Sequence, residues 1–92
     1  MEDKVLIKYF KENPVKVTLP DKTNIVIQIS DVVPYYGKSD SFYYCFYCVY
    51  DLKDISKKFT EKILRFYVEK EVKMYMKQFM SFETPMIYLK GV

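Results

Sequence analysis

Apolar and polar positions alternate along this chain with two periods, every second residue in the first half and every third or fourth in the second. Val5, Ile7 and Tyr9 alternate with Lys4 and Lys8, so Lys4 to Phe10 is predicted as a strand. Lys11-Glu12-Asn13-Pro14 reads as a turn, because Asn-Pro favours turn initiation and proline cannot donate to a ladder. Val15, Val17 and Leu19 then alternate with Lys16 and Thr18, giving a second strand with one buried face. Leu19-Pro20-Asp21-Lys22 suits a type I turn, and Ile25, Ile27 and Ile29 resume the apolar face. Val33 to Asp40 is predicted as an exposed loop. The run Phe42 to Tyr50 is apolar or aromatic at every position, so this strand needs cover on both faces. After Thr84-Pro85, Met86 to Lys90 makes a short C-terminal strand.

Between these strands the period becomes helical. Leu52, Ile55, Phe59, Ile63 and Phe66 form one stripe, with Asp51 or Asp54 placed to cap the helix start. A second stripe, Leu64, Val68, Val72, Tyr75 and Phe79, lies nearly opposite the first at 100° per residue. Glu61–Arg65 and Glu69–Lys73 are acid-first pairs four residues apart that support the helix. The predicted architecture is α+β, a single domain over residues 1–92. An antiparallel β-meander carries one long or kinked helix on one face, and the short C-terminal strand joins an edge.

One core cannot absorb two opposite stripes. Either the second stripe meets a partner, or a bend near Glu69-Lys70-Glu71 folds it back onto Phe42–Tyr50. Val68, Val72, Tyr75, Met76 and Phe79 combine aliphatic, methionine and aromatic groups of the kinds enriched in interface cores, so they are the candidate partner-binding residues. A homodimer is the first expectation and a host protein target the second.

Composition narrows the function classes. The chain has 92 residues, half of them hydrophobic and 29% charged, so it is expected to fold as one domain with a modest core. Without histidine there is no ordinary general base near neutral pH, and Gly37 and Gly91 are too far apart for a phosphate-cradling loop. Cys45-Phe46-Tyr47-Cys48 matches C-x-x-C, but residues three apart on a strand point to opposite faces and cannot converge on one metal. The expectation is a protein that is not an enzyme and has neither cofactor nor metal. No stretch reaches the roughly eighteen apolar residues of a membrane span, so no membrane partner is expected and the cytoplasm is the default location.

Lysine, tyrosine, phenylalanine and isoleucine are plentiful, alanine is absent, and Arg65 is the sole arginine against fourteen lysines. This AT-coded bias, which covers the whole chain and rests on no motif, resembles that of small proteins of AT-rich viruses or mobile elements, including those of thermophiles. The resemblance implies a virus-encoded protein of the host cytoplasm.

Net charge is +3 and is unevenly placed. Lys53 to Lys77 holds eight basic and four acidic residues, a local +4. Lys58, Lys62, Arg65 and Lys73 line one side of the helix. With Tyr35 and Tyr36 as stacking groups, they are the candidate residues for the alternative function, nucleic-acid binding. Glu61 and Glu69 neutralise part of that ridge, so interaction with protein is the preferred reading.

Overall fold

The computed structural model describes residues 3–36, 42–55, 59–77 and 85–92, the side chains of Asp3 and Phe42 excepted. The fold is α+β: a four-stranded mixed sheet in the order β1-β2-β3-β4, with two helices on one face. The elements are α1 (Asp3–Glu12), β1 (Val15–Thr18), β2 (Asn24–Tyr36), β3 (Phe42–Tyr50), α2 (Glu61–Met76) and β4 (Met86–Gly91).

The first element corrects the sequence reading, since Lys4 to Phe10 lies in a helix rather than a strand. Apolar residues at 5, 6, 7, 9 and 10 satisfy either period. A strand burying Val5, Ile7 and Tyr9 would expose Leu6 and Phe10. The helix instead buries Leu6 and Phe10, four residues apart, and leaves Lys4, Lys8 and Lys11 in water. Asn13 closes it, its backbone and side-chain N–H groups both donating to the Tyr9 carbonyl at 2.9 and 2.8 Å.

β1, β2 and β3 form an antiparallel meander, whereas β4 runs parallel to β3, joined to it through α2. The β1–β2 turn is the expected one, with Lys22 N–H donating to the Leu19 carbonyl at 2.8 Å. Lys22 itself sits at φ 69°, a conformation that favours glycine.

β2 is longer than the sequence suggested, running to Tyr36. A bulge between Ile29 and Asp31 explains the difference. Ile25, Ile27 and Ile29 face inward before it and Val32 after it, so the alternation changes phase and resembles a loop. The Asp31 carboxylate accepts from Val32 N–H at 2.9 Å, and Ser30 Oγ donates to the Tyr47 carbonyl at 3.0 Å. Residues 37–40 of the expected loop lie outside the described residues.

The predicted long helix is broken. Asp51 caps a short 3-10 turn, Leu52–Asp54, and α2 begins only at Glu61, where Thr60 Oγ1 accepts from Ile63 N–H. From there α2 is continuous to Met76. Its buried side is Leu64, Val68, Val72 and Met76, which join Leu6, Phe10, the three isoleucines of β2, Phe46 and Cys48 in one core. Phe10 meets Phe46 edge to face at 5.0 Å between centroids.

Lys22→Gly should relieve the left-handed strain and raise unfolding stability by about 0.5–1 kcal/mol, measured by urea denaturation. An unchanged or lower midpoint would mean that the turn carries no strain.

Candidate functional site: an aromatic sheet face

Alternation along β3 sends Tyr44, Phe46 and Cys48 into the core and Tyr43, Cys45, Tyr47 and Val49 to the opposite face of the sheet. Neither helix covers that face. Pairing then decides which side chains meet there. Tyr35 of β2 lies opposite Tyr43, and Tyr88 of β4 lies beside Tyr47. The Tyr35 and Tyr43 rings are 4.8 Å apart and tilted by 32°, while Tyr47 and Tyr88 stack at 5.2 Å and 15°. Between the two pairs run Val33, Cys45 and Met86, one residue from each of β2, β3 and β4.

Tyr35, Tyr47 and Tyr88 are each close to half exposed, yet Cys45 is only 5% exposed and lies outside the core cluster. Val33 and Met86 are its cross-strand neighbours on that face. Partial burial, and after it the nearby Tyr35, Cys45 and Tyr88, raise the pKa of the Tyr43 hydroxyl above its ordinary value. Charge on this face is sparse: Lys16 on β1 and Lys90 on β4 lie at its two edges, and Asp31 lies beside Tyr47. Thr18 and Asn24 hydrogen-bond across β1 and β2 at 2.8 Å on the polar margin. At the end where β3 stops, Val26, Val49, Asp51, Asp54 and Val92 line a cleft of about 300 Å³.

A second surface lies on the far side of the molecule. On α2, Lys62, Ile63, Phe66, Lys70, Lys73, Met74 and Lys77 share an arc of about 120°, opposite the buried stripe. Phe66 is 61% and Met74 56% exposed. The arc contains no acidic residue, and among the described residues the one ion pair reaching it joins Glu69 to Lys73 at 3.4 Å. Beside it, Pro20 of the β1–β2 turn lines an open cleft of about 520 Å³ with Lys62, Ile63, Phe66 and Tyr67.

The candidate residues from the sequence are redistributed by this arrangement. Val68, Val72 and Met76 are buried in the chain's own core, which corrects the expectation that they face a partner. Tyr75 is half-buried against Tyr9 and Phe10. Phe79 lies outside the described residues. The surplus apolar groups of α2 are instead Ile63 and Phe66 of the first stripe, together with Met74.

Of the basic ridge, Arg65 pairs with Glu61 at 3.0 Å and Lys73 with Glu69, Lys62 is exposed, and Lys58 is outside the described residues. This ridge lies on the helical layer. Tyr35 belongs to the opposite, sheet face, and Tyr36 ends β2, so ridge and tyrosines do not converge. No group of three or more potential metal ligands forms among the described residues, nor is any helix there long and apolar enough to cross a membrane.

The chain matches no protein-family model, no curated protein and no solved structure.

The two cysteines occupy different environments, as the strand period required. Burial pushes the Cys48 thiol up from 9.0 to about 12. The folded state then keeps a proton that the unfolded state releases, so stability falls as pH rises from about 9 towards 12, by up to about 1.4 kcal/mol per pH unit. Below pH 9 this group contributes no pH dependence. Denaturant titrations of the wild type against Cys48→Val should differ in slope only above pH 9, and parallel curves throughout would contradict the burial assigned to this thiol.

Proposed function

We propose that this chain is a non-enzymatic, self-associating interaction protein that docks through the aromatic face of its sheet, and that it is virus-encoded, as its AT-coded composition supports. The observation carrying the reading is that face, which neither helix covers and on which Tyr35, Tyr43, Tyr47 and Tyr88 surround Val33, Cys45 and Met86. Tyrosine and methionine in the middle with charge held to the margins is the composition of protein interface cores. A nucleic-acid face needs cations among its aromatics. Here Lys16 and Lys90 sit at the edges, and Asp31 beside Tyr47 would repel phosphate.

Magnitudes set the strength of the contact. At 150–250 Å² per aromatic side chain, the half-exposed tyrosines with Val33 and Met86 offer roughly 500 Å² of contiguous surface, towards the upper end of what a monomer ordinarily leaves uncovered. At 25 cal/mol per Å², covering it stabilises by about 12 kcal/mol before association costs of about 4–15 kcal/mol. With association costing about 4 kcal/mol the net is about 8 kcal/mol, a micromolar contact at its strongest, and one well-placed charge abolishes it.

Light scattering across the micromolar range should give a mass of at least twice the 11.1 kDa monomer, and Tyr47→Asp should return it to the monomer. The same samples should ignore a generic oligonucleotide at physiological salt. A strict monomer that instead binds the oligonucleotide at nanomolar concentration, with a log–log salt slope of about −0.9 per phosphate contacted, would move the reading to nucleic acid.

A further inference from the structure

Among the described residues, two surfaces without a covering element lie on opposite sides of this domain and differ in their charge. The outward arc of α2 is cationic and apolar, carrying Lys62, Lys70 and Lys77 around Phe66 and Met74. The sheet face is aromatic, with Lys16 and Lys90 at its outer edges, and carries Asp31 beside the central Tyr47 with Asp51 and Asp54 at its end. We propose that the occupant of the sheet face is the outward face of α2 of a second copy, so that copies stack head to tail as alternating sheet and helix layers. This inference rests on the reading of the sheet face as a docking surface.

Dimensions and charge fit that occupant. α2 has 16 residues and is about 24 Å long, within the roughly 30 Å span of the nine-residue β3 on which it would lie. Lys62 and Lys70 are about 12 Å apart along the helix, and Asp31, which pairs with Tyr47, is about 13 Å from Asp51 along the strand direction. Two lysines therefore meet two carboxylates in one register. Phe66, the most exposed large apolar residue on α2, would stand among the tyrosines or in the cleft lined by Val26, Val49 and Val92.

Packing a helix on an open sheet face also repeats the way α2 already packs on the inner face. Sheet-to-sheet pairing of two copies would bring Asp31 and its neighbours against a face of the same composition and leave the lysines of α2 without a counter-charge. A contact between two different surfaces does not close on itself unless the rotation happens to form a ring, so it generates open chains.

The test uses the whole chain and two variants that alter exposed positions only. Phe66→Ser with Lys70→Glu removes the helix surface, and Tyr47→Ser with Tyr88→Ser removes the sheet surface. Circular dichroism and thermal melting confirm folding of each, and a variant that fails to fold is replaced by Met74→Ser with Lys62→Glu, or by Tyr35→Ser with Met86→Ser.

Wild-type mass measured by light scattering should keep rising beyond the dimer with concentration and fall when salt is raised from 50 to 500 mM. Each variant alone should be monomeric, with association at least tenfold weaker. Mixed, they should form a one-to-one complex and nothing larger, because each retains one surface. A helix variant that dimerises like the wild type, while the sheet variant does not, overturns the head-to-tail occupant and leaves the docking face standing. Association unaffected by either variant, or a monomer at every concentration, overturns both.

Discussion

A strand that is apolar on both faces has to be covered twice, and a two-layer domain covers it once. β3 imposes that constraint here. Its inward side chains, Tyr44, Phe46 and Cys48, meet Phe10 and the buried stripe of α2, and this one contact layer determines where both helices lie. The outward side chains receive no helix. The sequence meets the deficit with tyrosine, whose polar hydroxyl suits water while its ring covers apolar surface, and Tyr43 and Tyr47 flank the buried Cys45 along β3. The face is thus tolerable in water but remains the largest unspent apolar surface of the sheet.

Much of the fold was legible because its cues are local. The strands at 15–18, 42–50 and 86–91, the β1–β2 turn and the opposed cysteines all follow from period and turn chemistry over a few residues. The misreadings also have local causes. Five apolar residues among six satisfy both periods in α1, and only the demand that Leu6 and Phe10 be inside decides for the helix. In β2 one extra residue at the bulge shifts the alternation, so a continuous strand imitates the start of a loop.

The site was legible only in part, for a different reason. That Phe42–Tyr50 would need a second cover could be read from its composition. Which residues share the uncovered face could not, because Tyr88 reaches Tyr47 through a parallel pairing that spans all of α2. Likewise, two opposite stripes on one helix are equivalent in isolation. In the fold the Leu64–Val68–Val72 side of α2 faces the core, and Ile63 and Phe66 are left outside. The exposed apolar stripe of α2 is therefore the one opposite the stripe expected to face a partner.

Edge geometry explains why any association should run through faces. A sheet with open edges ordinarily risks strand-to-strand pairing with another copy. Here one edge strand, β1, has only four residues and carries Lys16, and the other, β4, is six residues long with Lys90 near its end. α2 packs against both of these strands, so side-chain bulk stands near each edge as well. Beyond β1, residues 28–36 of β2 continue that edge with no strand partner among the described residues, and there the bulge between Ile29 and Asp31 and the missing N–H of Pro34 interrupt the flat row of free backbone groups that an open-ended ladder needs. The broad apolar surfaces are therefore the two layer faces, one tyrosine-lined and one lysine-lined. Because tyrosine is neutral over the ordinary pH range and lysine is not, contact between them is selected by shape and hydrophobicity at the centre and by charge only at the margin.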